Sequence, residues 1–258
     1  MSVDDKYTYP GSGGVLVNAA GYRTHEQLDE AMNDVASITM AEVRSEPVPD
    51  RPGYDYLQSI HERMLGDLVP GIAGRLRDVD VQATGTGIPY CRPEYIDANL
   101  STLFGKLERE DYLAGLDADM FADRLADRWG ELSAIHPYRD GNTRSQSTYV
   151  GAIAERAGHP IDWERVDVDE LRTARLHAVA GNDRPLADYL RTHLVSAHVD
   201  AARDGRELGA FEREDLEVMR DAGVDLDAAS RAPSIDPSTR LEQWPSLPEQ
   251  SRGSDLER

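Results

Sequence analysis

Apolar positions along most of this chain recur with a helical period. Leu28, Met32, Val35 and Thr39 follow Thr24 and Gln27, which have the spacing of a capping box, and the pattern predicts a helix. Arg51-Pro52-Gly53 interrupts the chain before a second helix with Leu57, Ile60, Met64 and Leu65 on one face. Pro93 suits the first turn of a third, which carries Ile96, Leu100, Leu103 and Leu107 and runs to about Glu108. The clearest helix spans residues 118–135, with Phe121, Leu125, Trp129 and Leu132 in one stripe. It stops at His136, because the residue before a proline resists helical geometry. Val150, Ile153, Ala154 and Ala157 form the next apolar face, ended near Gly158, and two more helices are expected near residues 168–180 and 185–194.

Between the second and third helices the pattern changes. Gly71, Gly74, Gly85, Gly87 and Pro89 punctuate short β-prone pieces, which predicts a small hairpin or flap over residues 77–90. Residues 1–23 read as an irregular arm rich in Gly and Tyr. Beyond about residue 199 one acidic helix over 210–222 is followed by a tail rich in Ser, Pro and charge, whose composition favours disorder. The expectation is a mostly α protein: an arm over 1–23, a helical bundle with one β-hairpin flap over 24–198, and an acidic extension over 199–258.

Composition narrows the partners. The formal charge is 28 − 48 = −20, so the surface repels nucleic acids and anionic membranes, and neither is expected as a direct partner. One cysteine, Cys91, cannot form an internal disulfide, and no apolar leader or membrane-length run is present. Together these predict a cytoplasmic protein.

The segment with the most chemistry lies over residues 136–144, His-Pro-Tyr-Arg-Asp-Gly-Asn-Thr-Arg. A helix starting near Gly141 would offer free amides and the positive end of its dipole to an anion. Gly141 admits close approach of a phosphate, and Asn142 offers a side-chain donor. Asp140 is placed to hold Mg²⁺ between phosphates, and Arg144 to donate to phosphate oxygens. His136 has the ordinary pKa suited to taking a proton from an attacking hydroxyl. A lone His-Pro is more often a turn and an Asp-Gly-Asn a solvated loop, but the parts in this order between two apolar helices favour a site. The histidines at 25, 61, 159, 177, 193 and 198 lack this context and read as surface or core.

Competing motifs fail. Gly105-Lys106 has Leu100 where a P-loop needs its first glycine, Tyr90 stands where a dinucleotide fingerprint needs its third, and Leu65 replaces the second histidine of a zinc helix. No G-x-S-x-G occurs.

Residues 136–144 resemble the motif of the Fic (Fic/Doc) family, H-P-F-x-[D/E]-G-N-G-R-x-x-R, with Tyr138 for Phe. Lys6-Tyr7-Thr8-Tyr9-Pro10-Gly11 is similar to the opening of bacterial Fic toxins, Ala73-Gly74-Arg75-Leu76-Arg77 to the stretch leading to the flap, and Gly87-Ile88-Pro89-Tyr90-Cys91 to the flap itself. The resemblance implies a mostly helical Fic fold that transfers AMP from Mg-ATP to a hydroxyl side chain of a target protein. It implies His136 as base, Asp140 as the magnesium ligand, Gly141 with Asn142 as the anion hole, and Arg144 as a phosphate contact, with Thr143 among the cofactor-binding residues. Thr86, Gly87, Ile88, Pro89 and Tyr90 would dock the target as an added strand. Implied partners are a target such as a topoisomerase subunit and a small antitoxin whose inhibitory helix carries [S/T]-x-x-x-E-[G/N]; a homo-oligomer stays open. Thr143 replaces the family's second glycine, and Ser147 its second arginine. The nearest string to the inhibitory motif within the chain, Ser238 to Gln243, ends in Gln243. Two alternatives keep the fold: another nucleotide or phosphodiester donor, or a module that binds without turnover.

Overall fold

The computed structural model of the chain describes residues 4–83 and 86–195. Among these, seven α-helices follow in order: α1 His25–Ser45, α2 Tyr54–Leu65, α3 Pro93–Arg109, α4 Ala118–Ile135, α5 Asn142–Ala157, α6 Val168–Val179 and α7 Arg184–His193. The proposed acidic extension, its helix at 210–222 and the string at 238–243 lie outside the described residues.

Local chemistry accounts for the helix ends. The Thr24 hydroxyl accepts from the Gln27 amide at 3.4 Å, Asp117 from the Met120 amide at 2.8 Å, and Asp167 from the amides of Asp169 and Glu170. Pro93 opens α3, and Gly158, at φ 80°, closes α5.

The bundle is built around α4, which packs against α3, α5, α6 and α7, while α1 and α2 cover α5 from the other side. Phe121, Leu125, Trp129 and Leu132 are each at most 2% exposed, as the stripe requires. Truncating such a residue typically costs about 3–5 kcal/mol for Phe or Trp. Gly130 lets α6 come close. A Cβ there would lie 2.9 Å from the Ala178 Cβ, closer than carbon atoms pack.

The arm is more ordered than its composition implied. Thr8 pairs with Leu16 in an antiparallel bridge, Val15 and Leu16 are buried, and Ala19 donates to the Leu68 carbonyl at 2.8 Å. At the flap, the described residues carry an isolated antiparallel pairing of Gln82 with Pro89 rather than a strand. Ala83 donates to the Ile88 carbonyl at 2.9 Å and Tyr90 to that of Val81 at 3.3 Å. Ala83 and Ile88 pack on Leu176 of α6, with Tyr90 and Val179 beside them. No described helix is long and apolar enough to cross a membrane.

Candidate functional site

The α4–α5 junction gathers the residues singled out over 136–144. Helix α4 ends because Pro137 cannot continue it and His136 adopts a left-handed conformation, φ 47° and ψ 65°. That conformation costs a residue with a Cβ about 1–2 kcal/mol and persists only where neighbours enforce it. The neighbours are visible. Arg77 Nε donates to the His136 carbonyl at 2.7 Å, the Arg77 amide to the Pro137 carbonyl at 2.9 Å, and Leu76 bridges Tyr138.

The loop's far side rests on α2. His61 is wholly buried, and its ring stacks on that of Tyr138 with centroids 3.7 Å apart. Its Nδ1 accepts from the Gly74 amide at 2.9 Å, which leaves the proton on Nε2, 2.8 Å from the Asp140 carbonyl it serves. Burial pushes the His61 pKa down to about 4, against the opposing pull of the Asp140 carbonyl and charge, so the ring is neutral at pH 7.

Gly141 sits at φ 76°, and a Cβ there would fall 2.8 Å from Leu65 Cδ1 and 3.1 Å from His61 Nε2. Only glycine fits both the dihedral and the space. The first helical turn then begins with Ser145 donating to the Gly141 carbonyl at 3.0 Å, which leaves the amides of Asn142, Thr143 and Arg144 without an intrahelical acceptor. Three amide donors at the positive end of α5 are thus open to an anion.

Asp140 and Arg144 flank them. The Asp140 side chain is 30% exposed; its Oδ1 accepts from the Gly141 amide at 2.5 Å and lies 3.4 Å from Arg144 Nη2. Asp140 Oδ2 has no partner among the described residues. Arg144 also donates through Nη1 to Asn33 Oδ1 of α1 at 3.0 Å, which fixes the guanidinium over the helix start.

His136 faces the flap. Its ring lies against Tyr90 with centroids 3.7 Å apart and planes 7° from parallel. Burial, then the positive charges of Arg77 and Arg175, hold its pKa well below the ordinary histidine value, while the Ser133 carbonyl pulls the other way. The imidazole is therefore unprotonated at neutral pH, as a proton acceptor must be. Arg175 lies buried nearby, donating to Gln146 Oε1 at 2.9 Å and Ser133 Oγ at 3.1 Å over the face of Trp129.

The structure thus brings His136, Asp140, Gly141, Thr143 and Arg144 together at one helix start, and corrects one role. The Asn142 side chain is not free to meet an anion. It is 3% exposed, accepts from the Tyr138 amide at 2.9 Å and donates to the Tyr138 carbonyl at 2.8 Å, so it locks the turn and leaves only its backbone amide open. Of the flap residues, Thr86 and Ile88 point into the protein, Gly87 and Pro89 are exposed, and Tyr90 covers the imidazole. Ser147 is buried within α5, at 7% exposure. Sequence reading passed over His61, Asn33 and Arg175. The apolar face shared by Leu57 and Leu65 marks His61 as a core position, but nothing local marks Asn33.

Residues 52–150 match the model of the Fic/DOC family, the stretch from just before α2 to the middle of α5. The chain is 29% identical over 201 residues to protein adenylyltransferase VbhT of Bartonella schoenbuchensis, covering 78% of this chain and 41% of that protein, so it spans well under two thirds of that relative's length. It is 29% identical over 178 residues to a protein of Escherichia coli K12 named "Probable protein adenylyltransferase Fic", covering 69% and 86%. In three dimensions it resembles the BepC protein of Bartonella tribocorum, a VirB-translocated effector crystallised with bound AMPPNP. There the identity is 25%, the TM-score 0.68, and the coverage 76% of this chain and 99% of that one.

Proposed function

We propose that this chain, a Fic/DOC family protein through residues 52–150, transfers AMP from Mg-ATP to a hydroxyl side chain of a target protein. The observation that carries the reading is one junction, α4 to α5, where an unprotonated His136 ends α4 and three free helix amides, a carboxylate and a guanidinium open α5. The activities named for the Bartonella and E. coli relatives and the AMPPNP in the BepC structure support it.

In the reaction the target hydroxyl oxygen bonds to the α-phosphorus, the bond from that phosphorus to the oxygen bridging to the β-phosphate breaks, and pyrophosphate leaves. His136 takes the hydroxyl proton on its unprotonated ring nitrogen. The amides of Asn142, Thr143 and Arg144 hold phosphate oxygens at the positive end of α5, and Arg144 adds a charge-assisted donor. Asp140 suits magnesium: one carboxylate oxygen is tied to the Gly141 amide and the other is open. A magnesium ion held by Asp140 would supply neutralisation of phosphate charge. The exposed residues Gly87 and Pro89 mark the edge on which a target segment would add as a strand, placing its hydroxyl near the ring under Tyr90.

The finer reading is a cytoplasmic toxin of a toxin–antitoxin pair, acting on a target such as a topoisomerase subunit and silenced by a small antitoxin with an inhibitory helix. Ser147, uncharged and buried in the second turn of α5, favours one rival: the same fold working on another nucleotide or phosphodiester donor. Incubating the protein with ATP labelled on the α- or the γ-phosphate decides between them. Transfer of α-label to a lysate protein, abolished in His136→Ala, is the expected result. Transfer of γ-label would replace the reading with phosphorylation, and label independent of His136 would sink it.

A further inference from the structure

A single buried guanidinium joins the flap to the catalytic turn. Arg77 is 3% exposed and lies just before the flap. Its Nε donates to the His136 carbonyl at 2.7 Å and Nη2 to the Ile135 carbonyl at 3.2 Å, both on the catalytic turn. Nη1 donates to the Val79 carbonyl at 2.8 Å and Nη2 also to that of Cys91, one on each limb of the flap. Two backbone bonds run alongside: the Arg77 amide to the Pro137 carbonyl at 2.9 Å, and the Cys91 amide to the Ala134 carbonyl at 3.0 Å.

This is an unusual use of a charge. A buried guanidinium is ordinarily matched by a carboxylate, yet among the described residues Arg77 forms no ion pair and all its observed bonds end on neutral carbonyls. Only a planar fork reaches four carbonyls on two separate segments at once; a lysine ammonium has three donors on one nitrogen. The four acceptors are also particular. They flank the left-handed His136 and the two ends of the flap, the two parts whose relative placement decides whether a docked hydroxyl meets the imidazole.

We propose that Arg77 is a positioning residue that clasps the target-docking flap to His136, so that the docked hydroxyl and the base share one rigid frame. The inference rests on the reading of this site as an AMP-transfer centre. The phosphate-holding residues, Asp140 to Arg144, make no bond to the Arg77 side chain, so the clasp acts on the target side of the reaction and not on the donor side.

The test compares the full chain with Arg77→Lys, which keeps the charge and loses the fork. Three quantities are read: ATP affinity, steady-state AMP transfer to a target at varied concentrations, and amide exchange resolved along the chain. ATP affinity is expected to stay within about twofold, while kcat falls roughly a hundredfold, the scale set by an ångström of misplacement. Exchange at Tyr90 and Cys91 is expected to quicken about tenfold or more, with α1 and α7 unaffected. A kcat within twofold of the parent, or an acceleration spread evenly over every helix, overturns the clasp. If the variant does not fold, the unmodified protein decides: the Arg77 Nε proton must exchange as slowly as the Cys91 amide, and much faster exchange overturns the proposal. Absence of AMP transfer in the parent would defeat the enzymatic reading alone, because the exchange measurements still test the clasp.

Discussion

Tyr90 lies flat on His136, ring centroids 3.7 Å apart and planes 7° from parallel. The flap residue beside the exposed Gly87 and Pro89 is thus also a cover that desolvates the imidazole. Burial is the largest cause of the lowered His136 pKa, ahead of the Arg77 and Arg175 charges. Tyr90→Ala should therefore raise the imidazole pKa toward its ordinary value of about 6.5. An NMR titration of the ring reads this directly. If the titration does not move, the desolvation comes from elsewhere than Tyr90.

His61 and His136 together predict acid sensitivity. Each has a folded pKa below its unfolded value, so the unfolded chain binds the extra proton and stability rises with pH. Neither contributes above about pH 6.5, where both states are neutral. Below it both cost stability; for His61 the cost is about 1.4 kcal/mol per pH unit until its folded pKa of about 4 is reached, a total of about 3.4 kcal/mol. Urea unfolding between pH 6 and 5, where carboxylates stay ionised, should show stability falling with pH by about 1 kcal/mol per unit from His61 alone, with His136 adding in the same direction. A flat profile would mean that the two rings are solvated.

Helices were legible because burial here follows the 3.6-residue period. The stripe Phe121, Leu125, Trp129 and Leu132 places α4, and the expected range over residues 118–135 coincides with Ala118–Ile135. The motif loop was legible because its residue types are forced by local geometry, Gly141 above all. What stayed hidden were contacts between distant segments. Asn33 meets Arg144 across 111 positions, and His61 meets the Asp140 carbonyl across 79; neither leaves a local pattern. Asn142 misled for a related reason. An amide at a helix start is equally suited to an anion and to the turn before it, and the turn through Tyr138 took it.

Gly141→Ala should destabilise by about 2–4 kcal/mol, through the left-handed dihedral and the clash with Leu65 Cδ1 and His61 Nε2. Gly158→Ala is the control. Its φ is similar, at 80°, but nothing lies within 4 Å of the added Cβ, so only about 1 kcal/mol is expected. The difference between the two urea midpoints measures the clash alone, and equal costs would refute the close packing of the loop on α2.

Asn33→Ala should release one side of Arg144 and leave its contact to Asp140. Helix α1 keeps its core face of Leu28, Met32 and Ala36, so the fold is retained. The loss falls on phosphate positioning: KM for ATP is expected to rise about three- to tenfold, less than the full worth of a hydrogen bond to a charged group because Arg144 keeps its contact to Asp140, with kcat much less affected. A change confined to kcat would place Asn33 in the chemistry and not in donor binding.

Ser147 offers the sharpest probe of the donor site. It follows Arg144 by three residues on α5, which sets the two on neighbouring positions of one helical face. Near the positive end of α5, Arg144 is the cation tied to Asp140, so a second guanidinium would add charge-assisted contacts to the distal phosphates of a triphosphate. Ser147→Arg is therefore expected to increase AMP transfer at low ATP by about tenfold or more, at a stability cost of about 1–3 kcal/mol because the position is buried. Ser147→Met, of comparable length and without charge, should give no gain. A triphosphate donor predicts that the benefit of the arginine disappears with a diphosphate ligand, measured as binding of ADP against ATP. If the variant binds both with equal improvement, the guanidinium is not meeting the terminal phosphate. If it improves neither, the natural donor is one whose charge ends before Ser147, and the assignment of ATP falls.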